Sequence, residues 1–347
     1  MGSKIIETNH NKNKNNEQFY NDKKCEIIIT KDSYVYLVQD NTFIVFKSIN
    51  DILYLVYSNE NKSIIFYNLI DFKKIIELKN AHINYITNFR YYLDKINKRD
   101  LLLSISAQDN NIKLWDINCF ECIINIVKIY SEGILSSGVI FNENNINYII
   151  VCNFNVWDSD SIKIFDFNGN KIKEIKDNAN DKTFLIDIYY DTISSKNYIL
   201  TGNWGYIKSY DYNKNKIYHK YCDNDKKTHY NIIINEKDKD KLIKLIEAGG
   251  DGNVRIWDFH RGLLVNKINV CENGLRNICL WDNEYLFVGC HDSIKLIDLR
   301  ENIIIKNINC QNYQINSIKK INHPKYGECL ISQGLKNDQI KLWIFKV

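Results

Sequence analysis

The stretch "DNNIKLWD", from Asp109 to Asp116, reads as a tight polar turn, a short strand and a closing acid, and seven versions of it run through the chain. "SDSIKIFD" ends at Asp166, "WGYIKSYD" at Asp211, "DGNVRIWD" at Asp258 and "CHDSIKLID" at Asp298. "NDQIKLWIF" stands at the C-terminus, and a worn copy, "NKSIIFYN", ends at Asn68. The residues before the closing position are Tyr67, Trp115, Phe165, Tyr210, Trp257, Ile297 and Trp343, at intervals of 48, 50, 45, 47, 40 and 46. A period of roughly 40 to 50 residues is that of propeller blades. It overrides the length prior, by which 347 residues would suggest about two domains.

The unit is plainest between Asn80 and Val127. A strand-like "INYITNFRYY" starts at Ile83, an apolar "LLLSISA" at Leu101, a turn covers Gln108 to Asn111, "IKLWDI" follows, and "CIINIVKI" starts at Cys122. Four short strands in sequence make a meander. Alternation in "IKLWD" puts Ile112 and Leu114 on one side of the sheet and Lys113 and Trp115 on the other, so both faces are partly apolar. A helical reading fails, because β-branched and aromatic residues dominate and turn residues recur every few positions. With a single proline, Pro324, the turns rest on Asn, Asp and Gly. One such sheet cannot bury both faces, whereas seven arranged radially bury each other.

The closing Trp-Asp, the turn acids Asp109 and Asp251 six residues before Trp115 and Trp257, and "AH" at Ala81-His82 resemble the WD40 repeat family, over about residues 34 to 347. The resemblance implies an all-β, seven-bladed WD40-type propeller of four-stranded antiparallel blades, usually a non-enzymatic scaffold. It also implies structural roles for His82, Asp109, Trp115, Asp251, Trp257 and Trp343. In the family a His, a Ser, the turn Asp and the Trp form a buried hydrogen-bonded tetrad. Here His82, Asp109 and Trp115 fit while the Ser position reads as Ile105, which leaves the tetrad short of its hydroxyl. The last repeat stops three strands into its blade, so an N-terminal strand is expected to close the ring. Glu26–Thr30 and Tyr34–Gln39 both qualify, and the second is preferred because a short loop then leads into "FIVFKSIN". Closure of this kind removes exposed edge strands.

Composition narrows the function classes. Residues 1–24 hold the Asn/Lys-rich "NHNKNKNNEQ" and too few apolar residues to fold, so the expected organisation is a disordered tail at 1–24 and one propeller at 25–347. A net charge of +4 from 46 basic and 42 acidic residues gives no field for nucleic acid, which is not expected as a partner. Ten cysteines without a framework, no secretory leader and no apolar run long enough to span a membrane point to the cytoplasm. Ile6 stands where a myristoylation motif would carry Ser or Thr.

Catalytic signals are sparse. Cys119 and Cys122 form a CxxC without the second ligand pair that zinc needs. "GGDG" at Gly249–Gly252 falls in a blade turn and reads as a hairpin rather than a phosphate loop. The seven histidines are scattered, none at ligand spacing to a carboxylate. The expectation is a protein that is not an enzyme and needs neither cofactor nor metal. "FHRG" at Phe259–Gly262 resembles the Phe/Leu-Arg-Arg-Gly motif of phosphoinositide-binding propellers but lacks one arginine, which makes a membrane-surface reading the alternative. Trp281 reads as strand-end packing.

Tryptophans where a blade does not need them carry the functional expectation. Trp157 and Trp204 lie in the turns between second and third strands of consecutive blades, with Asp158 and Asp160 beside the first. Such turns line one face of a propeller, and Trp is enriched where binding energy concentrates. Each indole could instead fold back over its own loop. Gln108, His291, Tyr130 and Glu132 are expected on the same face, as are His82 and Tyr313. The reading is a monomeric scaffold within a larger complex, docking partner proteins or peptides there, with the acids favouring basic ones.

Overall fold

A computed structural model describes residues 23–30, 43–59, 61–130, 134–154, 161–176, 182–224, 227–236, 242–310, 315–334 and 339–345. Its 28 strands form seven four-stranded antiparallel sheets, and no helix occurs among the described residues. Blades one to six span 43–78, 86–126, 134–176, 185–221, 229–269 and 277–309, each a meander in sequence order. The seventh is built from both ends: Ile315–His323, Gly327–Gly334 and Gln339–Phe345 are joined by Lys23–Thr30 as outer strand. Inner strands of consecutive blades touch, and the seventh meets the first, so the ring is closed.

The closing strand is therefore the first of the two candidates rather than Tyr34–Gln39. The physical reason is reach. The chain must cross from the rim of the seventh blade to the inner strand of the first, Phe43–Lys47, over three strand spacings of about 4.8 Å each. Three residues after Gln39 would have to run taut over that span, at about 3.8 Å per step. Ending the strand at Thr30 leaves residues 31–42 for the crossing.

Among the described residues the apolar core is divided into seven clusters, each made by the facing sides of two neighbouring blades. Blade two shows how alternation divides its side chains. Leu103, Ile105, Ile112 and Leu114 pack toward blade three, whereas Leu102 and Trp115 pack toward blade one. Trp281 belongs to the cluster between blades six and seven, edge-on to Phe287 and Phe345 at 5.3 and 5.5 Å.

Blades one to six share a feature that the repeat does not announce. The pairing of third and outer strands slips by one residue next to the marker position, at Phe66/Tyr67, Leu114/Trp115, Ile164/Phe165, Ser209/Tyr210, Ile256/Trp257 and Leu296/Ile297. The extra residue on the outer strand is apolar or aromatic, and Ile75, Ile123, Ile172 and Val265 are exposed. A bulge in an edge strand interrupts the regular row of backbone donors and acceptors that another chain would pair with.

Candidate functional site

Entry loops and the turns between second and third strands come together on one face of the ring. Trp204 sits in such a turn, between Lys196–Gly202 and Ile207–Asp211 of blade four. The turn is fastened to the entry loop of blade five: Gly205 N–H donates to the Lys227 carbonyl oxygen at 2.7 Å, and Trp204 forms an isolated bridge with Thr228. The backbone is thus fastened while Trp204 as a whole is 49% exposed. Beside it stand Phe184, at 6.5 Å between ring centroids, and Phe154, a further 5.0 Å from Phe184. Lys182 Nζ lies 5.6 Å from the Trp204 ring and 5.4 Å from that of Phe154. The result is an amphipathic patch shared by blades three and four.

Of the other residues expected on this face, Gln108 and His291 are exposed, and His291 Nδ1 lies 3.5 Å from Asp292. Trp157, Asp158, Asp160, Glu132 and Tyr313 lie outside the described residues. Tyr130 corrects the expectation. It is buried in the cluster between blades two and three, its hydroxyl donates to the Val151 carbonyl oxygen at 3.1 Å, and Lys163 Nζ caps its ring at 4.1 Å. A loop residue with a large ring gains more from the interblade cleft than from solvent.

The hydroxyl of the expected tetrad is Ser104, which corrects the assignment of that position to Ile105. Ser104 pairs with Lys113 across the two strands, so it shares the face of Lys113 and Trp115, whereas Ile105 faces blade three. Trp115 Nε1 donates to Ser104 Oγ at 2.8 Å, and Ser104 Oγ is 2.7 Å from His82 Nε2. The Nδ1 of His82 lies 4.0 Å from Asp109. Burial, then the charge of Lys113, pushes His82 down to about 3 against the pull of Asp109, so the imidazole is neutral. Asp109 also accepts the N–H groups of Ile83 and Asn84, both at 2.9 Å. Although burial pushes its carboxyl up, the bonds from Asn84 and Ile83 hold it below the usual range. Blade seven repeats the inner part, with Trp343 Nε1 donating to Ser332 at 2.8 Å.

Blade five replaces the hydroxyl by a charge. Glu247 stands opposite Arg255 as Ser104 stands opposite Lys113, and it accepts from Trp257 Nε1 at 3.2 Å and contacts His229 Nδ1. Arg255, wholly buried, bonds Asp251 through both terminal nitrogens, at 3.2 and 2.5 Å, and Asp223 through Nε at 3.0 Å. The hydrogen bond from Lys267 holds the Asp223 carboxyl low against burial, with Arg255 adding to it. The pairing of His229 with Glu247 was invisible as a sequence spacing, since the two meet only across neighbouring strands. A second signal was legible but unread. Lys113, Lys163, Lys208, Arg255, Lys295 and Lys341 occupy the same third-strand position in six blades. Lys113, Lys163 and Lys295 each bond a carbonyl oxygen of their own blade's entry loop, on Ala81, Ile129 and Val270.

Chemistry elsewhere is limited. Cys119 and Cys122 are exposed thiols, and no group of three or more His, Cys, Asp or Glu suited to a metal ion occurs among the described residues. In "FHRG" Phe259 is core, while the Arg261 side chain is 76% exposed and lies 3.6 Å from Asp258. No helix among the described residues is long and apolar enough to cross a membrane. Compared with known protein families and with curated proteins, the chain matches no family model and no curated protein.

Proposed function

We propose that this propeller is of the WD40 type and is a non-enzymatic docking platform for partner proteins or peptides, working through the face that carries Trp204. The observation that carries the reading is the half-exposed Trp204 on a fastened turn, flanked by Phe154 and Phe184. An aromatic side chain held in place loses little entropy when a partner covers it, which is the property of an anchor residue. The hydrogen-bonded series Trp115–Ser104–His82, with Asp109 4.0 Å from the imidazole, supports the WD40 assignment. Asp158 and Asp160, in the neighbouring blade's turn by sequence, favour basic partners. Nine free cysteines among the described residues suit the reducing cytoplasm.

The test is affinity capture from cell lysate with wild type and Trp204→Ala side by side, each checked by thermal midpoint. A partner held by wild type and lost from the variant, with midpoints within a degree or so, supports the reading. Equal capture by both places the working surface elsewhere.

A further inference from the structure

The opposite face of the ring holds a cavity that the docking reading does not use. Where the inner strands of blades four, five and six end, a space of about 420 Å³ opens, within the range of small-ligand sites. Its polar lining comes from Tyr189 of blade four, Asn235 and Glu236 of blade five, and Asp282 and Asn283 of blade six; Trp281 and aliphatic residues of the inner strands supply the rest. Among the described residues no Lys, Arg or His lines it. Glu236 and Asp282 are exposed, and neither forms an ion pair among the described residues. Lys320 packs over the Trp281 ring at 4.6 Å, but its ammonium is bound by the Trp281 carbonyl oxygen at 2.6 Å and by Glu328 at 2.5 Å.

Two further observations distinguish this from a patch of surface acids. Tyr189 is 6% exposed, yet its hydroxyl is sealed from solvent with no hydrogen-bond partner at proper geometry. Burial first, and the nearby Glu236 second, push its phenol up, so it is a neutral O–H. With only the Glu236 carboxylate beside its hydrogen, the phenol keeps oxygen lone pairs that an occupant with N–H donors would satisfy. The walls are also held in place. Asn235 Nδ2 donates to the Asn283 carbonyl oxygen at 3.1 Å, joining blades five and six, and Asp282 Oδ1 accepts the N–H groups of Glu284 and Tyr285, both at 2.8 Å.

We infer that this cavity binds the guanidinium of an arginine side chain presented by a peptide segment, with Glu236 and Asp282 at its mouth and the Tyr189 oxygen inside. Guanidinium suits the site better than ammonium because it offers five N–H donors in a plane and stacks on rings as it bonds carboxylates. The phenol oxygen accepts one N–H while its own hydrogen turns to Glu236. The site is independent of the Trp204 patch, since it lies at the other end of the inner strands.

The experiment is a calorimetric titration of the full chain with three capped tripeptides, Gly-Arg-Gly, Gly-Lys-Gly and Gly-citrulline-Gly. Citrulline keeps the shape of arginine and removes the charge. Saturable binding of the arginine peptide is expected, weaker for lysine and at least tenfold weaker for citrulline. The Glu236→Gln/Asp282→Asn double variant, altered at exposed positions, keeps its thermal midpoint and loses at least tenfold, while Tyr189→Phe loses a few-fold and Trp204→Ala binds as wild type. Citrulline binding within twofold of arginine, undiminished binding by the double variant, or no saturable binding into the millimolar range would each overturn the assignment.

Discussion

Replacing Ser104 by Ala removes one buried hydroxyl and strands two partners. The indole N–H of Trp115 loses its acceptor, and His82 Nε2 loses its hydrogen-bond partner 2.7 Å away. Both partners are sealed from solvent, so water cannot take over. An unsatisfied buried polar group costs about 1–3 kcal/mol, and with some relaxation the pair comes to roughly 3 kcal/mol. Unfolding entropy near 2.1 cal/mol/K per residue gives about 0.7 kcal/mol/K for 347 residues, so the melting midpoint should fall by about 4 °C. Scanning calorimetry on wild type, Ser104→Ala, Trp115→Phe and the double variant measures this. Because Trp115→Phe already removes the indole N–H, the second substitution should cost about 1 kcal/mol less in that background. Ile105→Val, on the opposite face, should cost only about 1 kcal/mol through packing. A midpoint for Ser104→Ala within a degree of wild type, or strictly additive losses, would refute the network.

Three more outcomes follow from the same geometry. His82 titrates at about 3 in the fold against an ordinary 6.5, so the unfolded chain takes up the proton first; its contribution is whole above about pH 6.5 and is lost as pH falls toward 3. His82→Gln should therefore lose less stability than wild type between pH 7 and pH 4, read from melting midpoints. Arg255→Met leaves Glu247, Asp251 and Asp223 without their shared cation and should cost about 3–5 kcal/mol in denaturant unfolding, against about 1 for Lys113→Met, which gives up one bond to a carbonyl. Gly252 has φ +82° and its added Cβ would lie 1.9 Å from the Cys271 carbonyl oxygen, whereas Gly327 has φ +71° and open space around it. Gly327→Ala should cost about 1–2 kcal/mol from the backbone alone, and Gly252→Ala clearly more, in the same assay.

The seven blades were legible because the repeat writes its period in marker residues and its strand faces in alternation. What the period could not convey was pairing between strands. Ser104 and Ile105 are neighbours in a row of apolar residues, and only the register Ser104↔Lys113 decides which one faces Trp115. Tyr130 looked like a loop residue because its strand had ended, and only the neighbouring sheet shows the slot it fills. Glu247 sits where a neutral hydroxyl was the family expectation, and its partners come from two separate strands, His229 on one and Arg255 and Trp257 on the other. Tyr189, Glu236 and Asp282 lie about one repeat apart, so along the chain each reads as an ordinary strand end.

The seam in the seventh blade sets an order on events during synthesis. Lys23–Thr30 is translated roughly 300 residues ahead of its hydrogen-bonding partners, Gln339–Phe345. Until then the outward sides of blades one and six have no neighbour, and the cluster between blades one and seven cannot form. A ribosome moving at about 5–20 residues per second holds the chain in that open state for tens of seconds. A growing arc with two bare apolar ends is what a holding chaperone recognises, so this protein's demand for one should track the speed of translation rather than the stability of the finished ring.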